Sequence, residues 1–387
     1  MKVFVIPSSY PNHINPQASI FVHEQCVALK KTGCDIIAFD STEFRWKYWL
    51  DKSCDNIIKR EKDGVHIYER HVRSVLTNKL YRLAVYGYYN NIKKLFKIAI
   101  EEHGIPDVLY AHFTYPSGYV ATKLARKYNI PLFTIEHGGF FMKEKVPTYL
   151  KEILRKTIKN SDSFACVSEA QRKSLYLCSD VDKEIKIISN MITDSFKHYS
   201  IPQRDNFVFF SAGNLYKVKR MDLLIEGFIK AFKKEEKVYL RIAGEGNERS
   251  KLEKIIADNN RQGQIILLGR LDREEMLNEY INCNCFALFS EHESFGIAYR
   301  EAMAVGRPVI SSDNGGISTF WKDDYGKIVP VNDVQELSKA MIEIKNNFAN
   351  YNLEKISEDT ILNCSSENVA KKIKKIFLNI SGERSEN

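Results

Sequence analysis

The segment Glu293-Ser-Phe-Gly-Ile-Ala-Tyr-Arg-Glu301-Ala-Met-Ala-Val-Gly-Arg-Pro-Val-Ile310 sets two carboxylates eight positions apart, with a glycine turn between them. The apolar run Phe286 to Phe289 ahead of it reads as a short buried strand. Gly296 then opens a helix to about Val305, and Pro308 to Ser312 reads as the next strand. A strand–loop–helix unit exposes free backbone N–H groups at the helix start, and these form an anion site. Two carboxylates would repel the anion, so they must serve something neutral and hydroxyl-rich on either side of it. Carboxylates accept paired hydroxyl hydrogen bonds well. A sugar at Glu293, a phosphate at the turn and a ribose at Glu301 together describe a nucleotide-sugar.

The elements that must position these residues alternate between strand and helix. In the first half, Lys2–Ile6, Asp35–Phe39, Val108–Ala111, Pro131–Ile135 and Ser163–Val167 read as strands. Helices are expected at Phe21–Lys31, Ser117–Tyr128 and Thr148–Asn160. After a polar, aperiodic stretch the alternation restarts, with strands at Phe207–Ala212, Tyr239–Ala243, Ile265–Leu268 and Phe286–Phe289. Helices are expected between them at Met221–Phe232, Arg249–Asn259 and Glu274–Cys283, and later at Val334–Asn347 and Asn368–Leu378. Such alternation builds doubly wound parallel sheets, whose ligands sit beyond the strands' C-terminal ends. The expected organisation is a first domain over 1–190, a linker over 191–206 and a second domain over 207–362. A final helix over 363–380 crosses back to the first domain, and a frayed tail covers 381–387.

Other segments of the second half share the strand-to-helix position. Ala212-Gly213-Asn214-Leu215 is followed by Lys219, a point charge suited to a diphosphate. Ala243-Gly244-Glu245-Gly246 is a Gly-x-Gly turn, weak as a signal when it stands alone, and Leu268-Gly269-Arg270-Leu271 follows the next strand.

Taken with its glycines, its proline and its flanking strands, the two-glutamate segment closely resembles that of the retaining glycosyltransferases of family 4. The resemblance implies a GT-B fold, two doubly wound Rossmann-like domains facing a central cleft. It implies that Glu293 binds donor-sugar hydroxyls, and that Phe295, Gly296 and Ile297 offer amides to sugar and phosphate. It further implies that Glu301 holds the ribose, that Lys219 meets the diphosphate, and that the backbone near Arg270 and Leu271 faces the base. Gly213, Asn214 and Gly244 would shape the same crevice. The family pattern has arginine where Asn214 stands and glycine where Arg220 stands. Arg220 or Lys217 is the candidate replacement for the missing charge.

In the first half, His137 follows a strand in Thr134-Ile-Glu-His-Gly-Gly139. In similar enzymes this histidine touches the donor sugar; Glu136 beside it has no clear role. The loop Pro11-Asn-His-Ile-Asn-Pro-Gln-Ala-Ser-Ile-Phe21 matches the family's acceptor loop, with Ala18 and Ser19 in place of the commoner glycines. Resemblance implies a front-face route, in which the leaving phosphate takes the acceptor's proton. It implies no metal or other cofactor, and a UDP-sugar as the favoured donor. Asp180-Val-Asp182 imitates a metal motif of another transferase fold, but in a loop of the first domain it reads as coincidence.

Leu80, Ala84, Tyr88, Ile92, Leu95, Phe96 and Ala99 share one helical face, with Arg82, Lys93, Lys94 and Lys97 largely off it. A core-packed helix is one reading, and attachment to an anionic membrane carrying a lipid-linked acceptor is the other.

With 387 residues, 44% hydrophobic and 27% charged, the chain suits two globular domains. No apolar run approaches a membrane span, and the first apolar run stops at Pro7, too short for a secretory signal. Eight scattered cysteines read as reduced cytoplasmic thiols rather than a zinc site. Net charge of +8 favours anionic partners, but no recognition helix, finger spacing or RNA-binding strand motif points to nucleic acid. The expected activity is transfer of a sugar from a nucleotide-sugar to a glycan or lipid-linked saccharide, as in bacterial surface polysaccharide synthesis. The expected location is the cytoplasm or the inner face of its membrane. The alternatives are a nucleotide-sugar epimerase on the same architecture and a nucleotide-sugar-binding protein without catalysis.

Overall fold

The computed structural model of the chain describes residues 1–41, 43–44, 56–73, 81–234 and 236–385. It divides into two units. The first comprises Met1–Val167, Gln171–Met191 and the C-terminal segment from Ser366; the second comprises Ser168–Ala170 and Ile192–Ser365.

In the first unit the strands are β1 (Lys2–Pro7), β2 (Asp35–Asp40), β3 (Glu43–Phe44), β4 (Ile57–Lys62), β5 (Val65–Arg70), β6 (Val72–Arg73), β7 (Val108–His112), β8 (Leu132–Glu136), β9 (Ser163–Cys166) and β10 (Ile185–Ile187). Eight of them form one sheet in the order β10-β9-β8-β7-β1-β2-β5-β4, and β3 pairs with β6. All pairs in the large sheet are parallel except β4–β5. The helices are α1 (Ile20–Lys31), α2 (Tyr81–His103), α3 (Tyr119–Tyr128), α4 (Thr148–Asn160) and α5 (Glu169–Ser179). Covered on both faces, the central strands are mostly apolar and every residue of β7 and β8 is buried, including His112, Thr134 and Glu136 towards their C-terminal ends. Phe4, Phe39 and Phe96 meet edge-on or tilted at 5.4–5.9 Å in this core.

The sequence reading passed over the β4–β5 hairpin. Its turn is Asp63-Gly64, with φ of 51° and 75°, the left-handed pair a two-residue hairpin requires. On α2, Tyr88, Ile92, Leu95, Phe96 and Ala99 are buried in the core, so that apolar face is occupied and the core-packed reading holds for it. Leu80 lies outside the described residues.

The second unit has a six-stranded, wholly parallel sheet in the order β13-β12-β11-β14-β15-β16. Its strands are β11 (Phe207–Ala212), β12 (Val238–Ala243), β13 (Ile265–Gly269), β14 (Cys285–Leu288), β15 (Val309–Ser312) and β16 (Gly326–Val329). Its helices are α6 (Met221–Ala231), α7 (Arg249–Asp258), α8 (Arg273–Asn282), α9 (Ile297–Ala304), α10 (Val334–Asn346) and α11 (Leu353–Cys364).

The stretch expected as a linker is not a bare tether. Ile192 and Phe196 are buried, and Ile192 N–H donates to Cys364 C=O at 2.8 Å within the second unit. The single terminal helix expected over 363–380 is replaced by α11 and α12 (Ser366–Ser385), separated by extended Ser365. The segment expected as a frayed tail is therefore helical as far as Ser385. Helix α12 belongs to the first unit, where Phe377 packs on Tyr110 at 5.3 Å and Phe133 at 6.0 Å, and Lys374 donates to Thr32 C=O.

Candidate active site

In a doubly wound sheet the order reverses at one point, and the loops flanking it leave a crevice. In the second unit that point lies between β11 and β14. The loop after β11 carries Gly213, Asn214 and Lys219, and the loop after β14 carries Glu293. Lys219 Nζ donates to Glu293 Oε1 at 2.5 Å, and Ser290 Oγ donates to the same oxygen at 2.9 Å. Both charged side chains keep a foothold in solvent, 23% for Lys219 and 13% for Glu293.

The Glu293 backbone is fixed from the other side: its N–H donates to Asn314 C=O at 3.3 Å. A Cβ on Gly316 would lie 2.7 Å from Glu293 Cβ, so only glycine fits there. Asn314 Oδ1 accepts from Gly316 N–H, and Asn314 Nδ2 donates to the Tyr299 hydroxyl. The sequence reading missed this support, although Asn314-Gly-Gly after a strand is a recognisable turn signal.

Gly296 caps α9 with φ of 72°, and a Cβ there would strike the Tyr299 ring at 2.3 Å. Among the described residues the N–H groups of Phe295, Gly296, Ile297 and Ala298 donate to nothing. They form the electropositive start of the helix. The Phe295 ring is buried over the Arg300 guanidinium at 5.3 Å, so this residue has only its backbone to offer a ligand. Arg300, 1% exposed, also donates to the carbonyls of Ile317 and Thr319, tying α9 to the loop that backs Glu293.

One turn further along α9, Glu301 accepts from the Tyr280 hydroxyl at 3.1 Å and lies 3.5 Å from Arg273. Burial, then the Glu301 charge, holds the Tyr280 phenol well above its ordinary range. Arg273 and Tyr280 escaped the sequence reading; Arg273 opens α8 behind an Asp272/Glu275 capping box, a readable helix start. Arg270 is exposed and Leu271 half-buried just ahead of it.

The Gly-x-Gly turn has a packing reason. A Cβ on Gly244 would fall 1.9 Å from Gly213 O, and one on Gly246 would fall 2.3 Å from Leu215 O. The two loops are laced by Gly213 N–H to Ala243 C=O and Leu215 N–H to Glu245 C=O, both at 3.0 Å. Asn214 is exposed at this crossing. Arg220 does not replace the absent arginine. It stands at φ 46°, the conformation glycine adopts freely, and its guanidinium is taken by Asp222, Glu291 and Asn332. Lys217 is exposed.

In the first unit, His137 follows β8 and is 5% exposed. Its Nδ1–H donates to Asn190 Oδ1 at 2.6 Å, so Nε2 accepts from His112 Nδ1–H at 3.0 Å. Burial pulls His137 down to about 4, the bond to Asn190 opposing it. Burial, then His137, holds His112 well below the usual imidazole value. Both ring nitrogens of His137 are thus engaged. A sugar hydroxyl reaches them only by displacing His112 or Asn190, which sequence reasoning had no means to see. Phe21 and Phe113 flank the ring at 4.9 and 5.4 Å. Glu136 accepts from the N–H groups of Thr114 and Gly138, both at 2.8 Å, which makes it a backbone brace.

The loop before α1 is pinned at several points. Asn12 Oδ1 accepts from Ile14 and Asn15 N–H, and Asn12 Nδ2 donates to buried Asp40 at 2.9 Å. Ala18 N–H donates to Asn15 C=O at 3.1 Å, and Ser19 takes φ 45° with its hydroxyl 2.7 Å from that of Ser9. Ser19 thus adopts the left-handed conformation that the commoner glycine would supply. Asp180-Val-Asp182 lies in an exposed loop where Asp180 approaches Arg155 at 3.8 Å.

Residues 192–358 match the family described as "Glycosyl transferases group 1", and residues 18–196 match "Glycosyltransferase Family 4". An uncharacterized glycosyltransferase of Methanocaldococcus jannaschii is 26% identical over 76% of this chain and 83% of its own. The N-acetyl-alpha-D-glucosaminyl L-malate synthase of Bacillus anthracis is 25% identical over 62% of this chain and 65% of its own, so the match spans less than two thirds of that enzyme. Sucrose-phosphate synthase of Thermosynechococcus elongatus superposes with a TM-score of 0.78 at 17% identity, covering 99% of this chain and 100% of that one. Anabaena HepE in complex with UDP and glucose gives 0.72 at 14% identity, covering 98% and 100%. Two parallel α/β units, family matches that together run from 18 to 358, and these neighbours make the chain a GT-B enzyme of the family 4, group 1 glycosyltransferases.

Proposed function

We propose that the enzyme transfers a sugar from a UDP-sugar, with retention at the anomeric carbon, to a hydroxyl of a glycan or lipid-linked saccharide in bacterial surface polysaccharide synthesis. The observation that carries this reading is the Lys219–Glu293 contact at the switch point, next to a helix start with unclaimed amides. Lys219 and the amides of Gly296, Ile297 and Ala298 meet the diphosphate as it departs and stabilise its developing charge. Glu293 accepts hydroxyls of the donor sugar, and Glu301, oriented by Tyr280 and Arg273, accepts those of the ribose. A leaving phosphate oxygen takes the acceptor's proton on the face from which it departs. Positive charge from the chain itself suffices in this scheme, so EDTA leaves turnover unchanged. The names of the relatives favour an N-acetylglucosaminyl donor, and the Anabaena complex favours UDP. His137 is assigned a contact with the donor sugar, made when His112 or Asn190 gives up one of its ring nitrogens.

Release of UDP from UDP-glucose, UDP-galactose and UDP-N-acetylglucosamine tests the reading, with the product's anomeric configuration read by NMR. An inverted product would refute retention, and the absence of UDP release from every donor would refute the donor class.

Attachment to an anionic membrane is part of the proposal, through charge alone. Lys93, Lys94 and Lys97 on α2 and Lys127 on α3 are exposed around a cavity of about 380 Å³. Flotation with phosphatidylglycerol vesicles at low and high salt decides it; no binding at low salt would remove it.

A further inference from the structure

The β4–β5 hairpin, absent from the sequence reading, walls a cavity of about 590 Å³ against the loop before α1. Strand alternation brings Ile58, Arg60 and Lys62 to one face of β4, and all three line it, with Asn12, His13 and Glu69 opposite or beneath. Arg60 is pre-organised there. Its Nε donates to Glu69, which is 3% exposed, and its Nη2 donates to Pro11 C=O at 2.6 Å. Among the described residues Nη1 donates to nothing, and the side chain stays 28% exposed. Glu69 and Arg60 offset each other's charge, and Lys62, exposed, forms no ion pair within 4 Å among the described residues, although its charge reaches the neighbouring Asp63. A fixed guanidinium edge beside an ammonium that no carboxylate holds by a hydrogen bond is the arrangement that binds carboxylate or phosphate oxygens.

We propose that this cavity binds an acidic group of the acceptor, a carboxylate or a phosphate, and so restricts the enzyme to anionic acceptors. The inference rests on the glycosyltransferase reading for the word acceptor, but the cavity belongs to the first unit and the diphosphate residues to the second. Binding at the two places can therefore be tested apart. The chemistry is shared by uronic acids and sugar phosphates, so both are used as probes. Asn12 and Arg60 also hold the loop in place, which makes Lys62 the informative position.

The experiment is calorimetric titration of the full chain with glucuronate, glucose 6-phosphate and glucose, with and without saturating UDP. At least one anionic sugar binds ten times more tightly than glucose, with unchanged affinity when UDP is present. Lys62→Glu weakens that binding at least fivefold, Lys62→Arg preserves it, and both variants bind UDP as the wild type does. Equal affinity for glucose, competition by UDP, or an indifferent Lys62→Glu would each overturn the proposal. Failure to bind UDP at all would count against the donor reading alone, because the UDP-free titrations still report on this cavity.

Discussion

Replacing Gly316 by alanine tests whether the placement of Glu293 limits the reaction. The added Cβ would sit 2.7 Å from Glu293 Cβ and 2.9 Å from its carbonyl oxygen, about 0.7 Å inside ordinary contact with the Cβ. The loop cannot simply retreat, because Arg300 holds the carbonyls of Ile317 and Thr319 while Asn314 holds Gly316 N–H. Much of the displacement therefore falls on Glu293, whose carboxylate touches Lys219. Overpacking of this kind costs roughly 1–3 kcal/mol of stability. A displacement approaching 1 Å at a reacting group lowers turnover by about tenfold to a hundredfold. UDP affinity should stay within about threefold, since the α9 amides do not depend on Gly316. The assay is initial-rate UDP release at saturating donor, paired with UDP titration and a melting curve. A variant that melts lower yet turns over within twofold of the wild type would refute the argument that Glu293 placement matters.

Lys219→Ala and Glu293→Ala should each lower turnover on the order of a hundredfold, ~3 kcal/mol in the barrier, by initial-rate assay; near-wild-type turnover in either would remove the site assignment. Glu301→Ala should weaken UDP binding about tenfold in a calorimetric titration while changing saturated turnover little, and an unchanged affinity would contradict the ribose role. Acidification should unfold the first unit through its neutral histidines. The folded-state value of His137 is about 4. Unfolded imidazole titrates near 6.5, so the unfolded chain binds protons that the folded chain refuses. Stability then falls from about pH 6.5 to 4, by ~3 kcal/mol for His137 alone. Glu136, raised by burial, acts in the opposite sense and is present in both proteins when wild type and His137→Gln are compared. The variant should lose less stability between pH 7 and 4.5, measured by urea unfolding, and parallel losses would contradict the burial argument.

The second unit was the more legible half because its candidate site residues are local in sequence. Glu293, Gly296 and Glu301 share one strand-to-helix passage, and period and spacing alone place them. What supports them is not local. Gly316 and Asn314 come from the next loop, and Tyr280 and Arg273 from the preceding helix, so only the fold joins them to the glutamates. Arg220 illustrates a different limit: the sequence displays a charge, whereas the structure shows a side chain already shared among three acceptors. His137 was placed at a strand end, but its engagement depends on His112 and Asn190, 25 and 53 residues away. The β4–β5 hairpin could have been found. Asp63-Gly64 is a strong turn signal, but the polar strand Ile57–Lys62 at the sheet edge lacks the apolar run that marks the central strands.

The most direct test of the central claim is a crystal structure of the full chain with an intact UDP-sugar. The account predicts diphosphate oxygens within about 2.7–3.2 Å of the Gly296 and Ile297 amides and the Lys219 ammonium, with the ribose on Glu301. A nucleotide found away from the start of α9 would contradict it.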